Sequence, residues 1–197
     1  MGMCLGLVTL SDESIRKVLA DPPLIWKVVA PDDPEAYEVA RQKRPRGFPR
    51  KLFGARVTES PLQLRECEVT HSDLDKAWHG IHYLLTQSAD DGLDSLHFLV
   101  GGGSEVGGED LGYGPARVFT AEQVRRIHAA LQPVDDEVLR ARYDPEEMTR
   151  LKIYPSIWDR EPGSDDALAY CQEYFNTLKT FVNQTAERRL GMVVYLS

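Results

Sequence analysis

Positive charge is in short supply in this chain, with 23 Lys and Arg against 31 Asp and Glu, a formal net charge of -8 over 197 residues. That balance favours solubility and removes any general attraction to nucleic acid or anionic membrane, so such binding would have to be local. Cysteine is scarce as well. Cys4, Cys67 and Cys171 are odd in number, far apart and without a CxxC pair, which argues against a disulfide framework or a cysteine zinc site and fits a reducing, cytoplasmic setting. No run of about 18 apolar residues occurs, so no spanning helix is expected. The start, MGMCLGLVTLSDES, lacks the basic and apolar regions of a signal peptide, and Gly6 stands where a myristoylation signal needs Ser or Thr. Also missing are GxSxG, HExxH, a Gly-Lys-Ser/Thr phosphate loop and the glycine spacing of a dinucleotide site. Each absence lowers a specific class of enzyme.

What remains is ordinary globular material, 42% hydrophobic and 27% charged, enough for one compact domain over residues 1–197. Met3 to Leu10 reads as a strand, followed by a helix capped at Ser11, with Leu10 and Ile15 placed as a hydrophobic staple. LIWKVVA is ambiguous between strand and helix. From Pro31 to Pro61, prolines and charge break every period, which reads as mostly loop. Leu74, Trp78, Ile81 and Leu85 form one helical stripe over Asp73 to Thr86. Leu93 to Val100 suits a core strand, the glycines a wide turn, and Ala116 to Phe119 a second strand. Thr120 and Gln123 form a capping box for a helix burying Val124, Ile127 and Leu131. Asp144-Pro145-Glu146-Glu147 is a further start signal, with Glu147 reaching back. The longest helix follows Ser164, with a seam of Leu168, Cys171, Phe175, Leu178 and Val182 and Gly191 as C-cap, and MVVYLS closes as a strand. Few βαβ units are visible, so the expected class is α+β, a small mixed or antiparallel sheet with several packed helices.

Five passages, MGMCLGL, LDKAWHGIHYLL, the GG to GYGPARVF stretch, TAEQV and YDPEEM to IYPSIW, carry a resemblance to the YfbM-like family of bacterial proteins. The resemblance covers most of the chain and is weakest across Arg41 to Glu68. It implies an α+β fold of that type. The family has no assigned function, so no catalytic residues carry over.

Candidate chemistry concentrates between Asp73 and Thr120. His79 and His82, with Asp75 four residues before His79, fall along one margin of the Trp78 stripe, where they would converge on a metal or serve as acid and base. The plainer reading is that His82 is a hydrogen-bonded core-edge histidine and Asp75 bonds His79 or the helix start. No metal is expected, because two imidazoles and one carboxylate are an incomplete closed zinc set. Gly101, Gly102, Gly103, Gly107 and Gly108 fit a turn needing positive φ, or close backbone packing, better than a phosphate cradle. Arg117, on a strand beside Phe119, needs a partner because an unpaired buried charge is costly. Glu105, Glu109, Asp110, a backbone carbonyl or a ligand anion would each serve. Tyr113, Tyr154 and Trp158 are further pocket candidates, and Cys67 with His71 is the nearest approach to a thiol-imidazole pair. The basic run Arg41, Lys43, Arg44, Arg46, Arg50, Lys51 and Arg56 reads as a solvated, peripheral insertion. RNP, helix-turn-helix and zinc-finger patterns are all absent, which makes nucleic acid an unfavoured partner.

These residues point to a non-enzymatic binding protein with a cleft built from Trp78, His79, His82, Gly102, Gly103, Tyr113 and Arg117. Its expected ligand is a protein segment or a small anionic molecule, with no cofactor. The alternative is a hydrolase or transferase acting on a phosphate-bearing or nucleotide-like small molecule, with a histidine as acid or base and Arg117 as electrostatic stabiliser.

Overall fold

The computed structural model describes residues 2–43, 62, 64, 68–159 and 166–197. The chain opens on strand β1 (Leu5–Leu10), and all six of its residues are buried. Its immediate neighbour is the last strand, β5 (Gly191–Leu196), paired antiparallel from Leu5 opposite Leu196 to Leu10 opposite Gly191. On the other edge of β1 lies β2 (His71–Asp73), and beyond β5 come β4 (Arg117–Phe119) and β3 (Ser104–Glu105), giving the order β2-β1-β5-β4-β3. Each pair is antiparallel.

Both faces of this sheet are covered, which is why β1 reads as a continuous apolar run and not as an alternation. Leu5, Leu7, Met192 and Val194 face the larger core, and Val8, Leu10, Val118 and Val193 face the smaller one. The larger core is closed by α4 (Trp78–Thr86), α5 (Ala121–Leu131) and α8 (Ala167–Glu187). On the smaller side pack α1 (Asp12–Ala20) and α2 (Ile25–Val29). Short helices α3 (Pro34–Gln42), α6 (Asp136–Ala141) and α7 (Pro145–Arg150) complete the set among the described residues. The architecture is α+β with an antiparallel sheet. No helix among the described residues is long and apolar enough to cross a membrane.

Several local expectations change. Leu93 to Val100 is not a strand: Ser95–Leu99 is a 3-10 helix, capped by Asp94 Oδ1 accepting from Leu96 N at 2.8 Å and from His97 Nδ1 at 2.9 Å. Phe98 and Leu99 are both buried, and the Asp94 cap closes the turn that carries them. LIWKVVA resolves as helix α2. Within the stretch expected to be loop, α3 forms because Pro34 sits at its first turn and Asp33 caps Ala36 N at 3.1 Å, so the proline starts a helix there. Most of the basic run, from Arg44 to Arg56, lies outside the described residues.

Helix α4 begins only at Trp78, because His71–Asp73 is paired into the sheet and Asp75 turns with φ +44°. Asp75 therefore does not reach His79. It accepts instead from Tyr170 Oη at 2.7 Å and faces Cys4 Sγ at 3.4 Å. Glu147 does not reach back over its helix start either: its carboxylate takes Arg150, while Asp144 alone caps Glu147 N at 2.9 Å. Gly191 is the first residue of β5 and not the cap of α8; Arg189 takes the left-handed conformation, φ +55°. A Cβ on Gly191 would stand 2.3 Å from the Phe119 carbonyl, so glycine is required by strand packing.

Candidate functional site

Helix α4 carries Trp78, His79 and His82, and each ring is committed to the protein. Trp78 is 7% exposed, donates its indole N–H to the Met3 carbonyl at 3.1 Å and stacks on His79 with ring centroids 4.9 Å apart. His79 Nδ1 accepts the Tyr154 amide at 3.0 Å, which leaves the proton on Nε2, and Nε2–H donates to the Ala89 carbonyl at 3.0 Å. His82 is fully buried, and its Nε2–H donates to the Asp90 carbonyl at 2.9 Å. Its Nδ1 finds no partner among the described residues. The two imidazoles thus pin the 89–90 backbone onto α4.

Burial holds both rings neutral. It pushes the His82 pKa down from 6.5 to about 4, with the nearby His79, His97 and Arg117 charges acting in the same direction. His79 is lowered too, chiefly by burial. With both nitrogens of His79 engaged and His82 sealed from solvent, neither ring can take a proton from a substrate in this conformation. Among the described residues no group of three or more His, Cys, Asp or Glu could hold a metal ion. The Cys171 thiol, buried without any charge to assist it, is raised to about 12 and is inert. His71 lies on the edge strand β2, while Cys67 falls outside the described residues.

Arg117 satisfies its charge on backbone. Its Nη1 donates to the Phe98 carbonyl at 2.9 Å and to the Gly101 carbonyl, and Nη2 donates to the Leu99 carbonyl at 2.8 Å. These are the unpaired carbonyls at the end of the 3-10 helix, where a cation is favoured. Burial lowers the guanidinium pKa to about 10, with Glu105 and Asp91 acting against that change. It therefore remains charged near neutral pH. The acids expected to pair with it are engaged elsewhere or act only at longer range: Glu109 accepts from the Trp26 indole at 3.0 Å, and Asp110 holds Gly112 N and Gly114 N, both at 2.9 Å.

Beyond Arg117 the chain turns through Gly102 and Gly103, at φ +71° and +70°, a region that side chains rarely adopt. A Cβ on Gly103 would also meet the Val118 carbonyl at 2.8 Å. This tight turn, the 3-10 helix and α5 enclose a groove of about 180 Å³. Phe98, Phe119 and Ile127 contribute its apolar lining, with Asp94, Ser95, Gln123 and Arg126 as polar neighbours. Leu93 also lines it and is fully exposed, at 108% relative accessibility. Of the residues predicted from sequence, only Gly102 and Gly103 line this groove. Trp78, His79, His82 and Arg117 serve the packing of α4 and the 3-10 helix, and Tyr113, 46% exposed on the β3–β4 loop, does not line it. Tyr154 packs near Trp78, with ring centroids 6.0 Å apart, and Trp158 is buried against Gly80. Sequence reasoning missed Leu93, Gln123 and Arg126, whose only local signal was a leucine in a Gly-Leu-Asp turn.

A family profile described as "Domain of unknown function (DUF1877)" matches residues 1–195. The chain belongs to the DUF1877 family. This DUF1877 protein is similar in structure to YfbM from Escherichia coli, a protein of unknown function whose crystal structure is known. The TM-score is 0.64 at 15% sequence identity, covering 98% of this chain and 99% of that one. That likeness supports the fold alone. No curated protein matches the DUF1877 chain.

Proposed function

We propose that this protein is a binding module that receives a protein segment, seating one large apolar side chain of its partner in the groove beside the glycine turn. The observation that carries this reading is Leu93, a fully solvent-facing leucine bordering a concave surface lined by Phe98, Phe119 and Ile127. Covering such a side chain in a complex contributes ~1.5–3 kcal/mol. The polar groups around it, Ser95, Gln123 and Arg126, are of the kind that meets a peptide backbone at an interface rim. Two facts weigh against a small anionic ligand and against the hydrolase or transferase reading. Arg117 spends its donors on carbonyls, His79 has both ring nitrogens bonded, and His82 is buried.

Panning a display library of short random peptides against the protein, and against Gln123→Trp as a filled-groove control, tests the reading. Enriched sequences should share one large apolar residue, and their affinity should fall at least about tenfold on the filled-groove variant. Peptides without an apolar residue in common, or equal binding to both proteins, would refute it.

A further inference from the structure

A second groove, of about 490 Å³, lies between α2, α3 and the loop at residues 108–110. It is built independently of the one beside the glycine turn. Trp26, Ala36, Val39 and Ala40 give it an apolar wall, and Val39 is 42% exposed. Among the described residues its charged lining is the carboxylates of Asp33, Glu35, Glu109 and Asp110 with the ammonium of Lys43. The far wall is fixed in place: the Trp26 indole holds Glu109 at 3.0 Å, and Asp110 closes its own turn onto Gly112 N and Gly114 N. Little ordering is left for a ligand to impose, which lowers the cost of binding. At Gly108 a Cβ would meet nothing within 4 Å, so the groove mouth is open there.

We propose that this groove docks a basic segment of a partner protein, presenting a lysine or arginine next to an apolar residue. Charge complementarity selects the cation, because among the described lining residues four carboxylates face one ammonium, a balance that attracts lysine and arginine and repels acidic chains. The apolar wall selects a protein segment over a small polyamine. A lysine or arginine stem and a neighbouring aliphatic side chain bury against Val39 and the Trp26 ring, while the charged head stays at the acidic rim.

Fluorescence anisotropy with three labelled peptides tests this on the full chain: alternating Lys and Leu, the same with Glu for Lys, and the same with Ser for Leu. The Lys-Leu peptide should bind, its affinity should fall as salt is raised, and the other two should bind at least about tenfold more weakly. Glu35→Lys combined with Val39→Ser should weaken the Lys-Leu peptide by about tenfold while the thermal midpoint stays close to wild type. Both residues are exposed. Gln123→Trp, in the other groove, should leave this binding unchanged. Equal binding of the Glu-Leu peptide, indifference to the double substitution, or a Lys-Ser peptide or spermine binding as tightly as Lys-Leu would overturn the proposal.

Discussion

At the scale of single residues, the groups with the most conspicuous chemistry work as structural fasteners. Arg117 is the clearest case: it gathers carbonyls of Phe98, Leu99 and Gly101 that would otherwise lie unpaired. Arg117→Met keeps much of the stem's packing and removes every donor, so urea unfolding should show a loss of about 2–4 kcal/mol. Stability within a few tenths of wild type would mean those carbonyls find other donors. His82 supports a second prediction, of pH dependence. Its folded pKa, about 4, lies below the unfolded 6.5, so between these values the unfolded chain binds more protons and stability rises with pH. The contribution is fully present above about pH 6.5 and is lost as pH falls toward 4, a swing on the order of 3 kcal/mol. Replacing the ring with a non-titrating one, His82→Phe, should flatten the urea-derived stability profile across that window, and parallel profiles for the two proteins would contradict the assignment. What was legible in the sequence at this scale was that Arg117 needed a partner and that His82 fitted a core edge. Which acceptors they use was not, because Phe98 to Gly101 reach Arg117 only through the turn of the fold.

Among the elements, α4 shows a contest between propensity and packing. Glycine in a helix interior ordinarily costs ~1 kcal/mol relative to alanine, so Gly80→Ala would be stabilising on an exposed surface. Here the new Cβ would sit 2.4 Å from Trp158 Cη2 and 2.8 Å from Cys171 Sγ. Overpacking a close-fitted site costs ~1–3 kcal/mol, which outweighs the propensity gain. Gly80→Ala should therefore lower the unfolding free energy, and adding Trp158→Leu should recover part of that loss by removing the indole that clashes. If the two substitutions add independently in a double-mutant cycle, the contact is not the cause. Helix starts were legible because their signals are local: Ser11, Thr120 with Gln123, and Asp144 with Pro145 all cap where their chemistry says they should. The 3-10 helix and α3 were misread for the complementary reason. A short apolar run has no period of its own, and a proline both ends and begins helices depending on what precedes it.

For the molecule as a whole, the two ends of the sequence meet. β5 lies between β1 and β4, and Cys4 and Ser197 exchange backbone hydrogen bonds at 2.9 and 3.0 Å. Deleting residues 191–197 removes the strand that joins both halves of the sheet, so the truncated chain should lose its cooperative thermal transition. Retention of a sharp transition would show that the remaining elements fold without it. This pairing, and with it the strand order, was invisible beforehand because it joins segments at the largest possible sequence separation, whereas the α+β class followed from local patterns. The groove was invisible for the same reason, since Leu93, Gly103 and Gln123 belong to three different segments. The proposed place of contact is this groove, away from the imidazoles and Arg117. Amide and histidine-ring chemical shifts, followed while N-acetyl-leucinamide and separately inorganic phosphate are titrated into labelled protein, test it most directly. The account predicts shifts at Ser95, Gly102, Gly103, Gln123 and Arg126 with the leucine probe, abolished in Gln123→Trp, and no response of the His79 or His82 rings to either compound. Shifts centred on those rings or on Arg117, or a leucine response that survives Gln123→Trp, would contradict it.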